Sequence, residues 1–198
     1  MKKIFFYFVA LLIAGTFAFN NASAQVDVST GGPVTTYANI KLAFDAINAG
    51  THTGAITISI TGAGTYTDPA APAILNSNGV GAASYTSVLI RPTADGVTIS
   101  GTTATGRGVI ELNAADNVTI DGDNPNTGGT NRNLTIVNLA ANTITYTSAV
   151  RIMTAITATF TSADNITVKN CIITGSASGR MLSTATSTTG SENTTFGI

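Results

Sequence analysis

The sequence predicts an all-β chain wound as a parallel β-helix, a solenoid, with one short helix capping its N-terminal end. Three observations lead there. Charged residues make up only 10% of the chain, against about 25% in an average soluble protein, while threonine fills roughly one position in six. Short apolar stretches of period two recur, bounded by Gly, Asn, Asp or Pro. One phrase is written twice, "ADNVTIDG" from Ala115 and "ADNITVKN" from Ala163, 48 residues apart. Thr and Val favour strands, and Gly and Asn favour turns, so the composition is that of a β protein.

The first 24 residues read as a secretory signal peptide. Lys2 and Lys3 form a basic start, "IFFYFVALLIAGTFAF" an apolar run, and Ala22 and Ala24 the small residues before a cleavage site. The run falls slightly short of the ~20 residues a membrane span needs. No later segment is long and apolar enough to span a membrane. Without Lys2 and Lys3, 7 basic residues stand against 10 acidic ones, a net charge of −3. That balance argues against nucleic acid as a partner. Cys171 is the only cysteine, so no intramolecular disulfide can form. A single thiol in an exported chain is expected to be buried.

Residues 25–36 read as a leader, and residues 25–50 as leader plus capping helix. In "YANIKLAFDAINAG", Ile40, Ala43, Phe44 and Ile47 fall on one helical face, and Gly50 follows where a left-handed terminator is favoured. A solenoid has open ends whose strand edges and apolar lumen need cover. This helix is placed to plug the first turn.

From residue 51 to 198 the period is two. Strands are expected at "AITISIT", "SVLIRP", "DGVTISG", "GVIELN", "DNVTIDG", "RNLTIVN", "SAVRIM" and "DNITVKNCIIT". Two ladders run in phase. "VLI", "VIEL", "AVRI" and "GRML" start near 88, 109, 149 and 179; "GVTI", "NVTI", "NITV" and "NTTF" start near 96, 117, 165 and 193. Ladders that advance together indicate turns stacked on one another, with insertions as loops. The second ladder predicts a lumen column of Val97 and Ile99, Val118 and Ile120, Ile166 and Val168, with Thr98, Thr119 and Thr167 facing outward. The last stretch, "GRMLSTATSTTGSENTTFGI", reads as part of a further turn. The expectation is an N-terminal portion of a longer protein, truncated at its C-terminal side.

"GVIELNAADNVTIDG", "RNLTIVN" and "ADNITVKNCIITG" resemble the right-handed parallel β-helix proteins of the pectate-lyase-like superfamily. The likeness is to large secreted or surface proteins of Gram-negative bacteria. It implies a signal peptide, an N-terminal cap and a right-handed coil. The superfamily includes polysaccharide lyases that hold calcium on Asp and Glu, and glycoside hydrolases that use several carboxylates.

Carboxylates are therefore the residues to weigh. Glycosidase chemistry needs a pair about 5–9.5 Å apart. Asp121 and Asp123 in "DGDNPNTGG", with Asn124 and Asn126, are the candidate glycan- or calcium-binding residues, at a strand exit that opens a polar loop. The spacing departs from an EF-hand, whose fifth position needs an oxygen ligand and here is Pro125. A plain turn explains the stretch as well. Asp116 and Asp164 occupy equivalent turn positions. Glu111 and Arg151 are expected as a surface ion pair between neighbouring turns, worth little. His52, the only histidine, has no nucleophile or ligand cluster beside it in the sequence. Arg91, Arg107, Arg132 and Arg180 look scattered. Asn117, Asn133, Asn165 and Asn193 each begin Asn-x-Thr, read here as turn asparagines and not glycosylation sites.

The sequence thus points to a non-catalytic secreted or cell-surface protein with a structural or adhesive role, with polysaccharide or cell-surface glycan as partner and no obligatory cofactor. The alternative is the N-terminal part of a carbohydrate-active enzyme, a lyase or hydrolase, whose catalytic turns lie beyond Ile198.

Overall fold

The computed structural model describes residues 25–62, 64–68, 72–141, 146–156, 160–176 and 195–196. The expected signal peptide, Arg180, Asn193 and the "GRML" stretch lie outside them. The described chain is mostly β-sheet with one short helix.

That helix, α1 (Ile40–Asn48), buries the four residues its periodicity selected: Ile40, Ala43, Phe44 and Ile47. Asn39 caps it, its side-chain oxygen accepting from the Leu42 N–H at 2.9 Å. Gly50 follows at φ +75°, and a side chain there would collide with the Ala82 carbonyl. Asn48 fastens α1 to β5 (Ala73–Asn76), donating to the Ile74 carbonyl at 2.8 Å and accepting from the Asn76 N–H at 2.9 Å.

Residues 25–36 prove to be more than a leader. They form β1 (Val26–Ser29) and the start of β2 (Thr35–Tyr37). β1 pairs antiparallel with both β2 and β3 (Thr53–Ile60), burying Val26 and Val28. A strand laid along an otherwise open edge satisfies its N–H and C=O groups, which is why this segment is ordered.

Three sheets follow. The first runs β2-β1-β3-β6-β9-β14, where β6 is Ser84–Pro92, β9 Val118–Asp121 and β14 Thr167–Lys169. The second runs β4-β7-β10-β15: Gly64–Asp68, Val97–Gly101, Leu134–Asn138 and Cys171–Thr174. The third runs β5-β8-β11-β16, with β8 at Gly108–Asn113, β11 at Thr147–Met153 and β16 at Thr195–Phe196. A small antiparallel hairpin, β12 (Ala155–Ile156) with β13 (Phe160–Thr161), interrupts the series. The first sheet is mixed because of β1 and β2, and no sheet closes on itself. From β3 onward, every pairing outside the hairpin is parallel. Successive strands visit the three sheets in rotation.

This rotation corrects the two-ladder reading. Val118 and Ile120 stack on Val88 and Ile90, not on Val97 and Ile99. Val97 and Ile99 stack instead on Leu134 and Ile136, and these on Cys171 and Ile173. Ile166 lies just outside β14, although Val168 does stack on Ile120. Residues 195–196 pair with Thr147 and Ser148 of β11, in the opposite set from the one assigned to "NTTF". The physical reason is that every rung wants the same Val-x-Ile pattern, whichever sheet it joins. Similar strands are therefore not neighbours by virtue of similarity.

The 48-residue repeat does correspond to direct stacking, Thr119 with Thr167 and Ile120 with Val168. The alternation holds as well. Val88, Ile90, Val97, Ile99, Val118, Ile120, Leu134 and Ile136 are buried in one continuous core shared with α1, each worth roughly 1.5–3 kcal/mol.

Candidate functional site

Asp121 ends β9, and the chain then leaves the stack as a loop from Gly122 to Asn133. The four candidate residues are brought together there, and each is held by hydrogen bonds inside the protein. Asp121 Oδ1 accepts from the Asn170 amide at 2.8 Å and from the Asp123 N–H at 3.2 Å. Its Oδ2 faces Lys169 Nζ at 3.1 Å. Asp123 Oδ1 accepts from the Asn131 N–H at 2.8 Å. Asn124 is only 3% exposed; its Oδ1 accepts from the Asn126 N–H at 3.0 Å. Asn126 donates its amide to the Thr93 carbonyl at 2.9 Å.

The centre of this network was not visible in the sequence. It is Asp95, in the turn between β6 and β7. Its Oδ1 accepts three bonds, from Asn124 Nδ2, Thr127 Oγ and Asn133 Nδ2, each at 2.7 Å. The loop after one rung is thereby stitched to the turn of the rung before it. Asn131, whose Oδ1 accepts from the Asn124 N–H at 2.9 Å and the Asn133 amide at 2.6 Å, completes the weave. The signal that could have found Asp95 is the "TADG" turn, equivalent in phase to "NRN" one rung on.

The electrostatics follow from these bonds. Hydrogen bonds from Thr127 and Asn124 hold the Asp95 carboxyl below its ordinary range. Burial pushes the Asp121 carboxyl up, but the Asn170 amide, the Asp123 N–H and Lys169 together draw it below its usual value. Both are acceptors in use. Asp121 Oδ1, Asp123 Oδ1 and Asn124 Oδ1 each accept a backbone N–H of the loop. Among the described residues, no three His, Cys, Asp or Glu side chains gather as a metal-binding group.

The turn asparagines behave as the sequence suggested. Asn117 and Asn165 take left-handed backbone conformations, φ 57° and 56°. They stack, Asn165 Nδ2 donating to Asn117 Oδ1 at 3.1 Å, while Asp116 Oδ1 accepts from the Asp164 N–H at 2.7 Å. Asn133 is committed to Asp95, as above.

Glu111 departs from expectation. It is opposite Arg151 in register, but it is 1% exposed and not a surface residue. Its main partner is Arg107, which donates Nε to Oε1 at 2.8 Å and Nη2 to Oε2 at 2.7 Å. The Gly108 N–H adds a bond at 2.9 Å, and Arg151 Nη1 approaches at 3.5 Å. The sequence reading missed Arg107 because a residue four positions away along a strand and its preceding turn is not an obvious neighbour. The Glu111 carboxylate raises the Arg107 pKa above its ordinary value.

His52 is buried, its Nε2 2.7 Å from the Tyr37 hydroxyl, with the two rings edge to face. This pair ties β2 to the segment after α1. Cys171 is half-buried, not fully buried as expected, because β15 is the outermost described strand of its sheet. Burial nevertheless pushes its thiol up to about 11.

Comparison with protein-family models, with curated proteins and with solved structures found no match.

Proposed function

We propose that residues 51–198 wind as a right-handed parallel β-helix, and that the protein is a non-catalytic structural or adhesive element of the cell surface or the secreted space. The observation that carries the reading is the rotation of successive strands from β3 to β16 through three sheets, with every pairing between rungs parallel. Such a stack is quasi-one-dimensional and suits a rod or a spacer. The handedness follows the general rule for parallel crossovers. Export rests on the sequence of residues 1–24.

In this reading the described carboxylates serve the architecture. Each acidic side chain described has a partner in the protein: Asp27 with Thr36, Asp45 with Lys41, Asp95 and Asp123 within the loop weave, Glu111 with Arg107, Asp116 with the Asp164 N–H, Asp121 with Lys169, and Asp164 with Ser162. Groups that shape turns and staple rungs are spoken for.

Incubation of the purified chain with polygalacturonate, with and without calcium, tests the reading. No depolymerisation is expected. Turnover that survives purification would establish the enzyme reading in its place. N-terminal sequencing of the exported protein should begin near Gln25.

A further inference from the structure

At three places in the chain a glycine directly follows an asparagine or aspartate: Asn78–Gly79, Asp95–Gly96 and Asp121–Gly122. A glycine has no side chain to shield its backbone nitrogen, which can therefore close a five-membered ring on the side-chain carbonyl carbon of the residue before it.

The fold closes two of the three to that reaction. Asp121 Oδ1 accepts from Asn170 and from the Asp123 N–H, Oδ2 faces Lys169, and the Gly122 N–H donates to the Lys169 carbonyl at 3.0 Å. Asp95 Oδ1 accepts from Asn124, Thr127 and Asn133, and the Gly96 N–H donates to Asn133 Oδ1 at 3.3 Å. Both carboxyls are held ionised, below their ordinary range, and a carboxylate anion resists attack by a nucleophile.

Asn78–Gly79 differs on each count. It lies at the corner between β5 and β6, and both residues are exposed. Gly79 stands at φ +83° with open space where a side chain would be. The Asn78 amide is neutral, and its Oδ1 accepts from the Tyr85 N–H at 3.1 Å. Tyr85 is itself fixed, its ring buried and its hydroxyl donating to the Asn76 carbonyl at 2.5 Å. A fixed donor on Oδ1 stabilises the negative charge that develops there when Cγ is attacked. One bond opposes the attack: the Gly79 N–H donates to the Ala83 carbonyl at 2.9 Å. It belongs to an exposed turn, the kind of element that opens at low cost.

We infer that Asn78 is a modification site, deamidated in the folded protein with opening of the Gly79–Ala83 bond as the gate. Water and hydroxide are the co-reactants. Hydroxide takes the Gly79 amide proton, the freed nitrogen bonds to Asn78 Cγ, and the Cγ–Nδ2 bond breaks, Nδ2 leaving as ammonia with a proton from water. Water then opens the ring at either carbonyl and gives aspartate or isoaspartate. The net change is water taken up and ammonia released, with nothing oxidised or reduced. The isoaspartate product carries an extra carbon in its main chain and loosens the corner on which α1 closes, where Gly50 lies against the Ala82 carbonyl.

The test holds the full chain folded at mildly alkaline pH and, in parallel, unfolded in guanidinium, and follows both by peptide mapping and ammonia release. Asn78 in the folded protein should convert within about tenfold of the unfolded rate, because the gate is a single exposed hydrogen bond. Asp95 and Asp121 should stay unchanged in the folded protein, and the Tyr85 amide should exchange faster once isoaspartate has formed. Asn78→Gln, whose longer side chain would have to close a less favourable ring, should abolish most of the ammonia release. Slower conversion than that, with the Asn78 amide retained while the unfolded chain reacts, overturns the inference, as does undiminished ammonia release from Asn78→Gln. Should that variant fail to fold, peptide mapping of the unaltered protein decides alone.

Discussion

Asn165 sits directly on Asn117, its amide donating to the lower side-chain oxygen at 3.1 Å, and both residues hold the left-handed backbone conformation at φ 56° and 57°. Two copies of one turn, 48 residues apart in sequence, are stacked so that each asparagine tolerates a conformation other side chains resist and passes a hydrogen bond along the stack. The repeated phrase is therefore architecture.

Replacement of Asn117 by alanine keeps the strained backbone and removes the bond. It should destabilise the protein by about 1–2 kcal/mol, while Asn117→Gly should cost less because glycine accepts the conformation freely. Urea unfolding of both variants measures the difference. Equal losses would mean that the backbone conformation is irrelevant.

Gly122 lies against the Asn170 carbonyl so closely that a methyl group there has no room. Gly122→Ala should cost roughly 3 kcal/mol, the upper part of the range for overpacking, because the obstacle is backbone and cannot rotate away. Amide hydrogen exchange should show the damage concentrated in β14 and β15, with protection of β3 and β6 kept.

Removal of Arg107 leaves Glu111 buried without its bidentate partner. Arg107→Ala should cost about 3 kcal/mol, the low end for a broken buried pair because the arginine itself reaches solvent. Arg107→Met combined with Glu111→Leu should recover most of that loss. Thermal melts of the single and double variants provide the check, and a double variant as unstable as Arg107→Ala would contradict it.

Asp95→Ala removes the acceptor of three side chains at once. The loop from Gly122 to Asn133 should become open to proteolysis and exchange its amides faster, with the core strands unchanged. A loop as protected as in the parent would show that Asp95 is dispensable to it.

Burial lowers the His52 pKa below its ordinary 6.5, so the folded state prefers neutral imidazole and the unfolded chain binds the proton more readily. The stability this contributes is fully present above pH 6.5 and is lost as pH falls through the lowered folded value. The denaturation midpoint should therefore decline on acidification from neutrality, and His52→Gln should flatten that limb. The carboxylates of Asp95 and Asp121, held below 3.8, act later in the acid range with the same sign.

Local patterns in the sequence placed the alternating core residues of the repeated strands, the helix α1, and the turns at Asn117 and Asn165. These are local matters: a period of two or 3.6 and a side chain's tolerance for left-handed backbone are written within a few residues. Only the tertiary structure decided that Val118 stacks on Val88 and not on Val97, that Asp95 gathers the loop of Asp121, Asp123, Asn124 and Asn126, and that Glu111 is buried under Arg107. Those pairings depend on how many strands make one turn and where each loop returns the chain. All rungs share one apolar pattern, so that pattern can say which side of a strand points inward but not which strand lies beneath it.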